Sequence, residues 1–275
     1  MMKVLPEDVT PIDKLEDIAE CRSFLKRIEE AEKNGFNPYF VPHEKPLRDV
    51  SIMNGKEVIN FGSYNYLGMS GRTEIAAASK KAIDDYGTSA SGSRILAGEK
   101  NLFIELEKEI ADWKHTEAAM VLAAGNLTNT TFVGNFCGKN DAIFFDVLSH
   151  SSIEQGCKLS PAYAKRFSHN NYQSLERMLV HLRSKFQKVL IVIDGVYSIA
   201  GDIAPVPEFV RLKKKYGCFL MVDEAHSTGV IGPTGAGVDE YFCLMPDDID
   251  IKMGTLSKAL GSIGGYIASK NVLIN

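Results

Sequence analysis

The sequence lacks long apolar runs and blocks of one charge sign. No stretch approaches the ~18 apolar residues of a membrane span. The first residues, MMKVLPEDVTPIDKLED, have no apolar centre of the kind found in signal peptides. The formal net charge is -4, with lysines and glutamates interspersed, so no basic run or charged tail is present. We therefore expect a soluble cytoplasmic protein without a membrane span or a nucleic-acid partner.

Cysteine is scarce, with five residues in 275, and its spacing argues against two kinds of site. The count is odd and no two cysteines form a CxxC pair, which disfavours both a disulfide framework and a zinc site. We predict no metal site, and buried, reduced thiols as in cytosolic proteins. The residues are Cys21, Cys137, Cys157, Cys218 and Cys243.

Two common catalytic motifs are also missing. Asp223-Glu-Ala-His226 matches an acidic motif of nucleoside triphosphatases, but that function needs a phosphate loop, GxxxxGKS or GxxxxGKT, which the chain lacks. Asp146, His150 and Ser151 could suggest a serine hydrolase triad. They lie too close along the chain, and no GxSxG turn accompanies them.

The composition, 45% apolar and 24% charged, is that of an ordered globular chain with room for one large α/β domain. Apolar residues near helical spacing predict a charged amphipathic helix over 11–35. The prolines that follow exclude a helix and predict an extended arm, which either packs on a partner subunit or stays solvated. These prolines are Pro38, Pro42 and Pro46.

From about residue 58, short apolar runs alternate with helical patterns. Strand-like runs cover 118–123, 142–145, 189–193, 219–222 and 265–268, and helical segments cover 101–113, 172–186 and 206–216. This alternation predicts an α/β fold of three layers, a mostly parallel sheet with helices on both faces. We expect an N-terminal helix and arm over 1–57 and one large domain over 58–275, with no small C-terminal domain.

The most informative segment surrounds one lysine among small residues, Met253-Gly-Thr-Leu-Ser-Lys258-Ala-Leu-Gly-Ser-Ile-Gly-Gly265. A lysine with a lowered pKa can form a Schiff base with a carbonyl compound. Thr255 and Ser257 could donate hydrogen bonds to a phosphate, and the glycines would let a flat ligand approach the backbone. Taken alone, the segment could also be a surface lysine beside a glycine-rich turn.

Further segments place polar residues directly after predicted strands. A carboxylate at Asp223 can pair with the protonated ring nitrogen of a cofactor, and His226 could reach the same ligand. Gly125 and Asn126 open a helix, whose backbone N–H groups could hold a phosphate. His150 could stack on an aromatic ring. Each feature also has a plain structural explanation, as a turn or a hydrogen-bonded side chain.

The segment Asp194-Gly-Val-Tyr-Ser198 follows another strand, so Asp194 and Ser198 would reach the carboxyl end of the sheet unless the segment is only a structural turn. Ligands of open α/β sheets bind in the crevice at this end. Together the segments supply a phosphate cradle, a ring-stacking group, an acid for a ring nitrogen and an amine for an aldehyde. These groups predict pyridoxal 5'-phosphate as the cofactor.

The order of four motifs resembles the α-oxoamine synthases, fold-type I pyridoxal-phosphate enzymes that include 8-amino-7-oxononanoate synthase, 2-amino-3-ketobutyrate CoA ligase and serine palmitoyltransferase. The motifs are Asn-Tyr-Leu-Gly at 65–68, Ser-Gly-Ser-Arg at 91–94, Asp-Glu-Ala-His-Ser at 223–227 and Gly-Thr-Leu-Ser-Lys at 254–258. The resemblance implies that Lys258 bears the cofactor and later moves the substrate α-proton, and that Asp223 pairs with the pyridine nitrogen.

The resemblance implies further contacts with the cofactor. His226 and Ser198 would contact the ring phenolic oxygen, and His150 would stack on the ring face. Thr255 and the N–H groups at 125 and 126 would hold the phosphate, although the family usually has an aromatic residue or histidine at position 126. The small domain of the family normally contributes an arginine for the amino-acid carboxylate, and Arg94 is not assigned that role.

The resemblance also implies a reaction. A pyridoxal-phosphate-dependent C-acyltransferase would condense an amino acid with an acyl thioester, carried by CoA or an acyl-carrier protein, and decarboxylation would give an α-amino ketone. Two alternatives stay open: an aminotransferase of the same fold, and a non-catalytic partner or fragment of a synthase. Family members are usually homodimers with sites between subunits, so we expect a homodimer.

Overall fold

The computed structural model describes residues 11–35 and 39–275. Contacts divide the chain into two units, one of residues up to 45 with 50–58 and one of 46–49 with 59–275. The domain boundary that the sequence predicts, between residues 57 and 58, stays a prediction. A 3-10 turn at Leu15–Asp17 precedes helix α1, Ala19–Lys33, and strands β1, Val50–Met53, and β2, Lys56–Ile59, form a two-stranded sheet.

Helix α1 is shorter than the predicted 11–35. Ile18 has extended backbone angles, so the helix begins only at residue 19. Of the three prolines behind the predicted arm, Pro38 lies outside the described residues. Pro42 and Pro46 lie in irregular backbone, as expected for residues that cannot continue a helix.

The second unit alternates strands and helices along nearly its whole length. In chain order its elements are α2 (Thr73–Tyr86), α3 (Asn101–Trp113), β3 (Ala118–Leu122), α4 (Gly125–Phe136), β4 (Ala142–Asp146), α5 (Ser151–Leu159), β5 (Tyr163–Phe167), α6 (Tyr172–Leu182), β6 (Val189–Asp194), α7 (Val206–Tyr216), β7 (Phe219–Asp223), α8 (Val238–Tyr241), β8 (Ile251–Thr255), β9 (Gly265–Ser269) and α9 (Asn271–Ile274). The predicted helices 101–113 and 206–216 match α3 and α7.

The seven strands from β3 to β9 form one sheet in the order β3-β9-β8-β7-β6-β4-β5. The pairs from β8 to β5 are parallel, and β9 runs antiparallel to both of its neighbours. Strands β4 and β6 are buried along their full length, because helices cover both faces of the sheet. The predicted α/β class with a mostly parallel sheet is confirmed.

Alternate residues of each central strand enter two different cores. In β6, Val189, Ile191 and Ile193 pack on one face with Phe209 of α7. Leu190 and Val192 pack on the other face. This alternation follows from the two-residue period of a strand, and it requires apolar residues at every position of a strand between two helical layers.

The parallel strands bring polar residues to one edge of the sheet. Asp194 at the end of β6 pairs in register with Asp223 at the end of β7. Thr255 ends β8 and is paired with Gly265, where the antiparallel β9 begins. The residues predicted from strand ends therefore share the carboxyl edge of the sheet.

The structure bears on two expectations from the composition, the burial of the cysteines and the lack of a membrane span. All five cysteines are free, but Cys21 and Cys243 are exposed, so the expected burial holds only for the other three. Within 11–35 and 39–275, no helix is long and apolar enough to cross a bilayer.

A buried ion pair fixes the residue that follows Asp223. Glu224 and Lys114, at the end of α3, are both 0% exposed, and their carboxylate and ammonium groups are in direct contact. Glu224 also accepts a hydrogen bond from the backbone N–H of Val238 over 2.8 Å. Burial lowers the pKa of Lys114, but the charges of Glu224, Tyr266 and Asp239 together outweigh burial, so the net shift of the pKa is upward. The lysine therefore stays charged and holds the turn after β7.

We predict that Lys114→Ala strongly destabilises the fold. The substitution leaves the Glu224 carboxylate buried without its counter-ion, which typically costs about 3–5 kcal/mol. Lys108→Ala is the matched control, because its ion pair with Asp112 on the same helix is exposed and should contribute less than ~1 kcal/mol. Denaturant unfolding measures both variants, and equal losses would contradict this assignment.

Candidate active site

A cavity of about 380 Å³ opens at the carboxyl edge of the sheet. It contains every predicted site residue except Ser198. The lining residues are Ala124, Gly125, Asn126, Asn129, His150, Asp194, Asp223, Ala225, His226, Met253, Thr255, Ser257 and Lys258. The amine of Lys258 and the carboxylate of Asp223 thus border the same cavity, so a single ligand could contact both groups.

Asp223 is buried at the end of β7, and both of its carboxylate oxygens are oriented by donors. Asn129 Nδ2 donates to Oδ2 over 2.6 Å, and the backbone N–H of Ala225 donates to Oδ1 over 2.9 Å. Hydrogen bonds to the charged form stabilise a carboxylate away from water. Asp223 can therefore offer a fixed negative charge to a ligand in the cavity.

Asp194 lies next to Asp223 but is held differently. Its Oδ2 accepts a hydrogen bond from the backbone N–H of His150 over 3.2 Å, while its Oδ1 has no partner. Burial and, second, the negative charge of Asp223 raise the pKa of Asp194 well above its ordinary value. Burial and the charge of Asp223 thus favour the protonated form of Asp194.

Lys258 follows β8 and is half-buried, with its Nζ 2.7 Å from His226 Nε2. Burial lowers its pKa, against the opposing charges of Asp223 and Asp194. Burial, reinforced by the positive charge of Lys258, lowers the pKa of His226 to about 4. His226 is therefore neutral near pH 7, and its Nε2 accepts a hydrogen bond from the ammonium group.

Two tyrosines close around this lysine and histidine. The Tyr66 hydroxyl lies 2.7 Å from His226 Nδ1, and the Tyr64 ring meets the imidazole edge-on at 5.7 Å. Lys258 Nζ lies 5.4 Å from the centroid of the Tyr64 ring. Since Nε2 of the neutral imidazole accepts from Lys258, the ring proton is on Nδ1 and is donated to Tyr66. The imidazole thereby joins the amine to the tyrosine.

The N-terminus of α4 borders the cavity beside the end of β8. Ala124, its N-cap residue, has no side chain that could accept from the first N–H groups. Gly125 leaves room there, because a Cβ atom at this position would lie 3.0 Å from Thr255 Oγ1. Thr255 Oγ1 itself donates to the carbonyl oxygen of Gly264 over 3.0 Å. The arrangement offers N–H groups and a positive helix end to an anion.

His150 caps the next helix, α5, and faces the cavity. Its Nδ1 lies 2.6 Å from Ser152 Oγ and accepts from the Ser152 backbone N–H over 3.3 Å. Ser257 also borders the cavity, and its backbone N–H donates to Thr255 Oγ1 over 3.2 Å.

Within the described parts of the chain, no group of three or more His, Cys, Asp and Glu side chains is arranged to hold a metal ion.

Ser198 is the predicted site residue that the structure does not bring into the cavity. Strand β6 ends at Asp194, and residues 198–200 form an exposed turn. The predicted contact of Ser198 with a ring oxygen stays a prediction that this geometry does not support. Arg94 is engaged elsewhere, since its guanidinium binds the carboxylates of Glu99 and Glu107.

Sequence reasoning missed three residues of the site. Asn129 follows Gly125 by four residues, so both lie on one face of α4, and this spacing could have identified it. Tyr66 lies in the Asn-Tyr-Leu-Gly motif and Tyr64 directly before it. The contact of Tyr66 with His226 joins positions 160 residues apart, which no local pattern reveals.

Residues 56–275 match the sequence profile of the family described as Aminotransferase class I and II. The chain belongs to this family. Among curated proteins, it is 44% identical over 225 residues to a putative 8-amino-7-oxononanoate synthase of Acaryochloris marina, covering 82% of this chain and 57% of that protein. It is 38% identical to the 8-amino-7-oxononanoate synthase of Treponema denticola, covering 95% of this chain and 66% of that protein.

Solved structures point to the same group. The serine palmitoyltransferase of S. paucimobilis, whose structure contains PLP, has a TM-score of 0.87 and 34% identity, over 93% of this chain and 64% of that chain. The resemblance to the α-oxoamine synthases is confirmed. The chain spans 57–58% of the length of the first three curated relatives that it matches.

The lowered pKa of His226 predicts a pH dependence of stability. In the unfolded chain this histidine takes up a proton near pH ~6.5, but in the folded state only near about 4. The unfolded state therefore binds more protons in this interval, and the free energy of unfolding falls as pH decreases through it. The loss of stability is complete only below the folded-state pKa.

His226→Gln should reduce this decline, measured as denaturant unfolding between pH 7 and about 4. His181→Gln is the control, because His181 is exposed on α6. Parallel curves for the unmodified protein and His226→Gln would show that His226 is not held neutral.

Proposed function

We propose that this chain binds pyridoxal 5'-phosphate in the cavity and forms the cofactor-binding part of a C-acyltransferase. The enzyme would condense an amino acid with an acyl thioester, from acyl-CoA or an acyl-carrier protein, and release carbon dioxide to give an α-amino ketone. The observation that carries the proposal is that Lys258, Asp223 and the N-terminus of α4 line one cavity. The confirmed family and the relatives named above support it.

The side chains present fit each part of the cofactor. The uncapped N-terminus of α4 would hold the phosphate, in space that the missing side chain of Gly125 leaves open. The Thr255 hydroxyl would contribute by turning its one hydrogen from the Gly264 carbonyl to the phosphate. The oriented carboxylate of Asp223 would pair with the ring nitrogen. His150 would cover one face of the ring, and the amine of Lys258 would meet the aldehyde. His226 would contact the phenolic oxygen.

Proton transfer falls to Lys258. When bound, pyridoxal phosphate supplies an electron sink for negative charge that develops at the substrate α-carbon. The lowered pKa of Lys258 brings its amine closer to the neutral form that can accept the α-proton at Nζ. The Asp223 carboxylate would favour a proton on the ring nitrogen that pairs with it. His226, neutral and 2.7 Å from Nζ, keeps the amine aimed into the cavity.

An aminotransferase is the second candidate, because the matching family profile carries that description. It would use the same lysine and acid, but it would take a keto acid instead of an acyl thioester. A non-catalytic partner of a synthase is a weaker candidate, since Lys258 is retained.

We propose that the chain forms a homodimer with a second copy of itself. Large apolar side chains that are almost fully exposed support this: Phe61 at 93%, Ile95 at 93% and Ile199 at 99%.

Addition of pyridoxal phosphate should produce the visible absorbance band of a lysine-bound cofactor, and Lys258→Ala should abolish it. Lys258 is the one lysine that lines the cavity among residues 11–35 and 39–275, so its removal leaves the aldehyde without an amine to bind covalently. Lys270→Ala is the control, because this lysine is largely exposed. A band retained in Lys258→Ala, or no band in any protein, would contradict the proposed cofactor site.

The reaction class is tested by offering the loaded protein an amino acid with either an acyl-CoA or a keto acid. We expect release of free thiol that depends on the amino acid, and a loss of about 100-fold or more in Lys258→Ala because the base is missing. Colorimetric thiol detection measures the first reaction, and amino-acid analysis measures transfer to the keto acid. Transfer without thiol release would establish the aminotransferase instead.

A further inference from the structure

Two buried polar side chains connect Asp223 to His150 through consecutive hydrogen bonds. Asn129 Nδ2 donates to Asp223 Oδ2 over 2.6 Å and to Ser152 Oγ over 3.0 Å. Ser152 Oγ lies 2.6 Å from His150 Nδ1. Asn129 is 1% exposed and Ser152 is 0% exposed, so bulk water does not compete for these bonds. The residues that would face the ring nitrogen and the ring plane therefore share one network.

The donors and acceptors give this network a direction. A carboxylate only accepts, so Asp223 turns the Asn129 amide nitrogen toward itself, and the second N–H goes to Ser152. The Ser152 hydroxyl has a single hydrogen, which is left for His150 Nδ1. The Ser152 backbone N–H reaches the same nitrogen over 3.3 Å. Because Nδ1 accepts, the proton of the neutral imidazole is on Nε2.

The orientation of the Asn129 amide leaves its own carbonyl oxygen without a hydrogen bond. Asn129 Oδ1 is buried and has no hydrogen-bond partner. An unpaired buried carbonyl is unfavourable, but the reversed amide would set this oxygen against the Asp223 carboxylate, acceptor against acceptor. The orphaned oxygen indicates that the amide nitrogen is required on the side of Asp223 and Ser152.

We propose that Asn129 and Ser152 are positioning residues that lock Asp223 and His150 into one frame and fix the His150 proton on Nε2. The proposal rests on the proposed function only for what the two end groups do, namely pairing with a ring nitrogen and covering a ring. Through the network, a displacement of either end group disturbs the other. Asn129 and Ser152 act through Asp223 and His150, although Asn129 also borders the cavity.

The tautomer of His150 can be measured without any cofactor. In protein labelled with ¹⁵N-histidine, at a pH where the ring is neutral, the shifts of the two ring nitrogens distinguish the protonated one from the unprotonated one. His150→Gln assigns the signals. We expect unprotonated Nδ1 and protonated Nε2 in the unmodified protein, and a mixture of tautomers in Ser152→Ala. Ser151→Ala is the matched control, an exposed serine one position earlier on α5.

A second experiment measures the affinity for pyridoxal phosphate by absorbance titration. Asn129→Ala should weaken pyridoxal-phosphate affinity by about tenfold or more, because Asp223 loses a donor to its charged form. Asn135→Ala is the control on the same helix, where an exposed amide donates only to the Thr131 carbonyl. The double variant Asn129→Ala with Ser152→Ala should lose less than the sum of the single losses, since both interrupt one network.

A His150 protonated on Nδ1 in the unmodified protein would overturn the proposal, as would a tautomer unchanged by Ser152→Ala. Circular dichroism confirms that each variant is folded, and if Asn129→Ala does not fold, the Ser152→Ala tautomer alone decides. If no protein binds pyridoxal phosphate, the proposed function fails while the tautomer measurement still supports or overturns the hydrogen-bond network.

Discussion

The buried carboxylate of Asp223 is the constraint on which the rest of the cavity depends. A charge in the protein interior is unfavourable unless hydrogen bonds or opposite charges compensate it. The Asn129 amide and the Ala225 backbone N–H do so here. At the neighbouring Asp194, burial and the charge of Asp223 raise the pKa of the carboxyl group. One fixed negative charge, with its donors already in place, is what a protonated ring nitrogen would require.

The turn after β7 is also held by a buried ion pair. Glu224 is paired with Lys114, and Val238 donates to its carboxylate. The turn also carries His226, whose neutral ring contacts Lys258. The position of the amine therefore depends on packing and ion pairing that begin at the end of α3. The cavity is a preorganised group of polar side chains on the carboxyl edge of a rigid sheet.

Much of this fold follows from local patterns. The strands that became β4, β6 and β7 are apolar throughout, as helices on both faces require. The edge strand β5 was missed, because Lys165 and Arg166 interrupt its apolar pattern and only one of its residues is buried. Strand β8 was missed for a different reason: Lys252, its second residue, is fully buried and forms an ion pair with Asp239. Compensation of that kind depends on tertiary structure.

The site was predictable wherever a side chain follows a strand directly, as Asp223 and Thr255 do. It was not predictable where position depends on the path of a loop. Ser198 lies four residues beyond the end of β6, and the chain turns it into solvent. Tyr66 reaches His226 from a segment far away in sequence. Strand ends place residues reliably because parallel strands end together, whereas loops add freedom that the sequence does not specify.

A crystal structure of the protein with pyridoxal phosphate tests the central claim most directly. We predict continuous electron density from Lys258 Nζ to the cofactor, with the ring nitrogen within hydrogen-bonding distance of the Asp223 carboxylate. A cofactor bound with its ring nitrogen away from Asp223, or joined to a different lysine, would contradict the account.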